Sequence, residues 1–128
     1  MYILLKIMLL TFTISSTSAS EGLENYTGTW KASMIDKKEG LRTGVVEIND
    51  QDGYMRMYSI CVPAKCACRS LRAPIAVKVA SSNELVFKVL KSRVLKGCSD
   101  HTAKLRRLNG NTLEGELGKG NKLVLKKR

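Results

Sequence analysis

Hydrophobic and polar residues alternate along most of this chain from residue 28 onward. In ELVFKVLK, residues 84–91, the side chains of Leu85, Phe87 and Val89 fall on one face of an extended chain. Successive side chains of a β-strand point to opposite faces, whereas those of a helix repeat about every 3.6 residues. Alternation with a period of two therefore predicts strands with one buried and one solvated face.

The alternating segments are short and are separated by turn residues. Eight strands are predicted, at residues 28–36, 43–49, 54–62, 73–80, 84–91, 102–108, 112–117 and 122–127. Asp52-Gly53 and Asn109-Gly110 are dipeptides that two-residue hairpin turns favour, because both central residues of such turns need positive φ. In the fourth strand the alternation predicts that Val79 faces inward.

Eight short strands joined by hairpin-length loops predict an all-β fold. We expect a small eight-stranded antiparallel meander barrel, because closure removes the two exposed edges of a sheet. A two-layer β-sandwich is the alternative. Met55 and Met57 share one face of the third strand and are expected to be core, since a barrel of this size is just wide enough for side chains. They would otherwise line a pocket for a small apolar ligand.

Residues 1–20 have the pattern of a secretory signal peptide. Lys6 precedes an apolar run at residues 7–14, and small residues follow up to Ala19 and Ser20. The run is shorter than the roughly 20 residues of a membrane-spanning helix, and no later segment approaches that length. We expect cleavage after Ser20 or Ala19, a secreted or periplasmic location, and a single domain at residues 21–128. An uncleaved N-terminal anchor is the alternative.

The chain is strongly basic, with a formal net charge of +11 at pH 7. Lys6 is the one charged residue among residues 1–20, so the remainder carries +10. Such a charge favours anionic partners, here an acidic glycan or lipopolysaccharide, although it also serves solubility. The few aromatic residues do not interleave with the cations, so a specific nucleic-acid function is not expected.

Cations are concentrated in the second half of the chain, where neighbouring strands would pool them. The candidate basic patch consists of Lys104, Arg106, Arg107, Lys122, Lys126 and Arg128. Further cations of the same half are Lys88, Arg93, Lys96 and Lys127.

Three of the four cysteines lie in CVPAKCACRS, residues 61–70, and the fourth is Cys98. An even number of cysteines in an exported chain favours two disulfides. A bond between Cys66 and Cys68 demands a strained ring, so that connectivity is the least favoured. Of the two remaining pairings, we prefer Cys61–Cys66 with Cys68–Cys98.

Two other uses of these cysteines are weaker. Zinc bound by the first three, with Cys98 or His101 as the fourth ligand, has suitable donors but not the usual spacing, and export disfavours free thiolates. Cys98-Ser99-Asp100-His101 holds catalytic residue types, but triads are assembled from separate segments, so adjacency is no argument for one. We therefore expect no enzyme activity, no cofactor and no metal.

The opening Gly28-Thr29-Trp30, after an irregular segment, resembles the Gly-x-Trp start of calycin-type barrels such as lipocalins and avidins. The stretch at residues 43–53 and the cysteines ahead of residues 73–75 are similar to a family of small exported bacterial barrels of unknown function. The second half departs from this pattern, since it lacks a second tryptophan and the aromatic residues of an avidin biotin site. The resemblance implies a barrel whose floor is closed by Trp30, but no biotin function.

These observations predict a monomeric binding barrel with an unknown partner. The first form of this function binds a small apolar ligand or an envelope component, and the second binds a polyanion with the basic patch. The third inhibits a hydrolase, with the disulfide-bonded residues 62–67 as the inserting element. Asn25-Tyr26-Thr27 also matches the N-glycosylation pattern, which applies to a eukaryotic source.

Overall fold

The computed structural model describes residues 22–50, 52–61 and 66–128. Eight antiparallel strands follow one another around a closed barrel, and the last pairs with the first. They are β1 (Gly28–Asp36), β2 (Gly40–Asn49), β3 (Asp52–Met57), β4 (Ala73–Ala80), β5 (Glu84–Val89), β6 (His101–Asn109), β7 (Thr112–Leu117) and β8 (Asn121–Lys127). The predicted meander barrel is confirmed, and the sandwich is not formed.

Short 3-10 helices at Leu23–Asn25 and Lys91–Arg93 complete the described secondary structure. Among the described residues, no helix is long and apolar enough to cross a membrane. The predicted signal peptide, residues 1–20, lies outside the described residues.

Side chains from all eight strands fill the barrel. Met55 and Met57 are among them, as expected for core residues. The larger members of this core are Trp30, Met34, Val46, Ile48, Ile75, Leu85, Phe87, Val89, Leu105, Leu113, Leu117, Leu123 and Leu125. A small eight-stranded barrel is filled in this way by its inward-facing residues.

Strand boundaries differ from the prediction where the barrel meets the cysteines. β2 begins at Gly40 rather than at residue 43, and β3 ends at Met57 rather than at residue 62. The pairing of β3 with β4 consists of Tyr54 with Pro74 and Met55 with Ala73. Arg56 and Met57 still pair with β2, but the chain leaves the sheet after Met57, so residues 58–61 are not strand.

A β-bulge overturns one predicted orientation. The register of β4 against β5 shifts between Val77 and Val79. As a result Val79 is exposed and Ala80 is buried. A bulge inserts one unpaired residue, which moves the following side chains to the opposite face.

The predicted hairpin turns are displaced along the chain. Asp52 and Gly53 belong to β3, and the turn before them contains Asp50, whose φ is +43°. Gly53 lies so close to the backbone of Glu47 that a Cβ atom would overlap it, which explains glycine here. The second turn contains Gly110 rather than centring on residues 109 and 110, because Asn109 pairs with the residue after the turn.

Trp30 lies at the end of the barrel where β1 begins, which we call the closed end. Its indole Nε1 donates to the carbonyl oxygen of Tyr26 at 2.8 Å, and Tyr26 in turn donates to the carbonyl oxygen of Ser81. Both rings are fully buried. The segment before β1 thus covers this end of the core, and Trp30 fills it.

The structure has the disulfides Cys61–Cys66 and Cys68–Cys98, the pairing that the sequence analysis prefers. The second bond joins the segment between β3 and β4 to the residues just before β6. Since all four thiols are bonded, neither arrangement of zinc ligands is formed. Among residues 22–50, 52–61 and 66–128, no other His, Asp and Glu side chains form a group that could hold a metal ion.

The two disulfides should differ in their effect on stability. Cys68→Ser with Cys98→Ser should lower the free energy of unfolding by about 3 to 4 kcal/mol, because this bond closes a loop of 30 residues. Cys61→Ser with Cys66→Ser is the matched control and should lower it by about 2 kcal/mol, since its loop spans 5 residues. Urea unfolding measures both. A larger loss from the shorter loop would contradict the chain-entropy account.

Candidate functional site at the mouth of the barrel

Four connections meet at the end of the barrel opposite Trp30, which we call the mouth. They join β1 to β2, β3 to β4, β5 to β6 and β7 to β8. The connection between β3 and β4, residues 58–72, is here called the cysteine segment. Residues 62–65 of this segment, and so most of the predicted inserting element at 62–67, lie outside the described residues.

Arg42 of β2 is buried at the mouth, where β3 has lost its pairing with β4. Its side chain is 7% exposed, because it faces into the barrel like Val46 and Ile48 further along the strand. The guanidinium donates from Nε to the carbonyl oxygen of Tyr58 at 3.0 Å and from Nη2 to that of Arg69 at 2.7 Å. A buried carbonyl without a partner is destabilising, so Arg42 replaces the missing ladder bonds.

Two carboxylates complete the surroundings of Arg42. Asp36 Oδ2 lies 3.2 Å from Arg42 Nη1, and Glu39 Oε2 lies 3.2 Å from Arg42 Nε. Arg69 of the cysteine segment also contacts both carboxylates, with its Nη1 2.7 Å from Glu39 Oε2. We call these four residues the ionic cluster. It joins β1, β2 and the cysteine segment, and it uses the donors of Arg42 within the protein.

The cluster keeps both carboxyls ionised. A hydrogen bond from the backbone N–H of Lys38 lowers the pKa of Asp36, and Arg42 and Arg69 lower it further against the opposing effect of burial. The Ser59 hydroxyl, which donates to Glu39 Oε1 at 2.6 Å, is the main cause of the lowered pKa of Glu39. Each acid of the cluster is therefore neutralised by an internal partner.

Exposed cations surround the mouth on three of its connections. These rim cations are Lys37, Lys38, Arg93, Lys96 and Lys119. The turns that carry Lys37 and Lys119 are neighbours, because a Cβ atom at Gly120 would lie 3.4 Å from Lys37 Nζ.

Asp100, a further acid of the mouth, is engaged within its own connection. Its carboxylate accepts from the backbone N–H and the hydroxyl of Ser92, each at 2.9 Å, and these bonds lower its pKa. Next to it, His101 is partly buried, which lowers the pKa of its imidazole, and nearby Lys91 lowers it further. Asp100 therefore stays ionised, and since Arg93 also lowers its pKa, it offsets part of the charge of the rim cations.

The candidate basic patch from the sequence is divided in the structure. Lys104 and Arg106 point outward from β6, directly opposite Glu116 and Glu114 of β7. Lys122 of β8 pairs with Glu114 at 2.9 Å. Lys126 also points outward but near the closed end. Opposite charges on adjacent strands thus interrupt the patch, because the strand register places each acid between cations.

The other predicted patch residues lie at the closed end. Arg107 lies on the same face of β6 as Ala103 and Leu105 and is directed toward Tyr26, with its guanidinium 4.8 Å from the ring centroid. It also donates to the carbonyl oxygen of Ser82 at 3.2 Å. The backbone N–H of Arg128 donates to Thr29. Arg107 therefore stabilises this end and does not join Lys104 and Arg106 in one surface.

Sequence reasoning missed Arg42 and the rim cations of the first half of the chain. Arg42 continues the inward-facing series of β2, so a charged residue at a core position was the available signal. It was not used because the predicted strand began at residue 43. Lys37 and Lys38 had no distinguishing signal, since a basic turn is common and its distance from Lys119 depends on the closure of the barrel.

The grooves at the mouth are open to solvent rather than enclosed. One of about 490 Å³ is lined by His101, Lys104, Glu116 and Lys119, among others. Another of about 180 Å³ lies between Leu41 and Ile60. Because core side chains fill the barrel, the described residues offer no interior site for a small apolar ligand.

Comparisons with known proteins establish the fold and no more. No protein-family model matches the chain, and no curated protein matches it. The solved structure of a redesigned β-barrel is similar to it, with a TM-score of 0.51 and 11% sequence identity. The match covers 88% of this chain and 99% of that barrel. At this identity the likeness shows a shared architecture, and it assigns neither a family nor an activity.

Replacing Arg42 by methionine should lower the free energy of unfolding by about 2 to 4 kcal/mol, because buried carbonyl oxygens and carboxylates lose their partner. Arg106→Met is the matched control, since Arg106 is exposed, and should change it by about 0.5 kcal/mol or less. Arg42→Lys should fall between them. Urea unfolding followed by the fluorescence of Trp30, the single tryptophan, measures all three. Equal losses for Arg42→Met and Arg106→Met would contradict this role.

Acid should destabilise the protein through the ionic cluster. The pKa values of Asp36 and Glu39 are lowered in the folded state, so their contribution is complete above about pH 5 and is lost as the pH falls through the folded-state values. The urea midpoint should therefore fall between pH 7 and pH values below about 4. Glu39→Gln should reduce this difference more than the control Glu114→Gln, because Glu39 is largely buried between two guanidinium groups whereas Glu114 is more exposed to solvent. Equal reductions would refute the assignment.

Proposed function

We propose that this protein is an exported binding module, not a catalyst, and that the mouth of its barrel contacts an anionic macromolecule. The observation that carries the proposal is the charge of the mouth. Five exposed rim cations surround it, while Asp36 and Glu39 are paired with Arg42 and Arg69, so that Asp100 and Glu116 offset only part of the rim charge. A surface of one sign attracts a partner of the opposite sign and speeds its association.

The bonds that hold the described part of the cysteine segment support this proposal. The Cys68–Cys98 disulfide connects this segment to the residues before β6, and the ionic cluster connects it to β1 and β2. A surface that is already ordered loses less conformational entropy when a partner binds. The mouth is accordingly better prepared for binding than the outer face of β6 to β8, where acids and cations alternate.

Export is part of the same proposal. Two disulfides persist in oxidising compartments, and residues 1–20 carry the pattern of a signal peptide. The partner would then be an extracellular or envelope component.

We also propose that the barrel is calycin-like. Its support is the Gly28-Thr29-Trp30 opening of β1, which follows a 3-10 helix and places Trp30 in the closed end of the core. The eight-stranded meander agrees with this relationship.

Heparin is a suitable probe of the charged mouth. The triple variant Lys37→Ser, Lys38→Ser, Lys119→Ser should elute from heparin at lower salt than the parent protein, because binding to a polyanion weakens as salt screens it. The matched control removes three exposed lysines from strands away from the mouth, Lys31→Ser, Lys78→Ser, Lys126→Ser. This control should change the elution less. Equal shifts would mean that net charge alone governs retention, and absence of retention by the parent would contradict polyanion binding.

A further inference from the structure

An exposed apolar strip crosses the outer surface beside the mouth. It consists of Ile35, Leu41, Tyr58 and Ile60, of which Leu41 is 72% exposed and Ile60 is 91% exposed. Single exposed apolar residues are ordinary on protein surfaces, but a contiguous group of them marks an interaction site.

The strip is contiguous across three neighbouring chain segments. Ile35 of β1 and Leu41 of β2 are directly opposed in the sheet. Leu41, Tyr58 and Ile60 then line the apolar side of an open groove of about 180 Å³, whose other lining residues are Glu39, Arg42, Thr43 and Ser59. Since a cavity of about 150 Å³ admits benzene, the groove has room for one leucine or phenylalanine side chain against its apolar side.

The walls of this groove are held outward by the backbone around them. The N–H of Tyr58 donates to the carbonyl oxygen of Thr43 at 2.8 Å, and the carbonyl oxygen of Tyr58 accepts from Arg42. The N–H of Cys61 donates to Ser59 Oγ at 3.1 Å, and the Cys61–Cys66 bond follows directly. These bonds hold the backbone of Tyr58 and Cys61 on either side of Ile60, and in this conformation the side chains of Tyr58 and Ile60 are exposed.

The charges around the strip select the partner. Lys37 and Lys38 occupy the turn between Ile35 and Leu41, and the guanidinium of Arg56 lies 5.6 Å from the ring centroid of Tyr58. Glu39 also lines the groove, but Arg69 and Arg42 neutralise it. Since the donors of Arg42 are used internally, carboxylates of a partner would meet the exposed lysines.

We propose that this groove takes an apolar side chain from an acidic protein segment. This inference rests on the proposed function and names the class of its anionic partner. A polyanionic glycan would satisfy the rim cations but has no aliphatic or aromatic side chain to bury between Leu41, Tyr58 and Ile60. An acidic peptide with one large apolar residue satisfies both features, and burial of that residue would add to the electrostatic attraction.

Two short synthetic acidic peptides test this proposal if they differ at one central residue, phenylalanine in the first and serine in the second. Fluorescence anisotropy at low ionic strength should give a dissociation constant roughly tenfold lower for the phenylalanine peptide. In the variant Leu41→Ser, Ile60→Ser that preference should disappear while the serine peptide binds as before. Equal affinity of the parent protein for both peptides would overturn the inference.

The matched control is Val79→Ser with Leu108→Ser, which removes two exposed apolar side chains far from the mouth. It should retain the preference for phenylalanine, and loss of the preference in this control would also overturn the assignment of the groove. Retention on heparin separates the two proposals. If the rim variant shifts the heparin elution but neither peptide is preferred, the anionic partner stands as a polyanion. If neither heparin nor the peptides respond to the rim cations, both proposals fail.

Discussion

The buried guanidinium of Arg42 connects β2 to the cysteine segment. The ladder between β3 and β4 is only two pairs long, so carbonyl oxygens at the start of the cysteine segment lack strand partners. Arg42 donates to the carbonyl oxygen of Tyr58 at the start of this segment and to that of Arg69 near its end, and Asp36 and Glu39 lie within ion-pair distance of it. A buried charge is tolerated only with such partners, so Arg42, together with Arg69 and the Cys68–Cys98 bond, holds the described part of the cysteine segment against β1 and β2.

The polar side chains at the two ends of the barrel have different partners. At the closed end, Trp30, Tyr26 and Arg107 contact one another or the adjoining backbone, so their polar atoms serve the fold. At the mouth, Asp36 and Glu39 are paired within the ionic cluster, whereas the rim cations are exposed. The net charge of the chain does not show this difference between the mouth and the closed end. The rim has an excess of exposed cations because Asp36 and Glu39 are paired with Arg42 and Arg69, even though the cations of the chain are spread over both ends.

The sequence predicted the strands and much of the core, because alternation with a period of two is a local signal that the barrel does not alter. The predicted orientation of side chains was wrong where one inserted residue moves the alternation to the opposite face of the strand. The bulge in β4 turned Val79 outward. The basic patch is divided for a different reason. Alternation already places Arg107 on the face of Leu105, and only the pairing of β6, β7 and β8 brings Glu114 beside both Arg106 and Lys122. Arg42 was not predicted to face the core because the predicted strand began at residue 43.

The apolar strip follows from the same geometry as the cluster. Met57 faces the core, so alternation carries Tyr58 and Ile60 to the outside as the chain leaves β3. Moving these side chains inward would shift the backbone by one residue and remove the carbonyl oxygen of Tyr58 from Arg42. Their exposure is thus coupled to the burial of the guanidinium. Where β3 leaves its partner β4, the barrel is closed by Arg42, and the same departure of the chain leaves Tyr58 and Ile60 exposed beside the basic turn of Lys37 and Lys38.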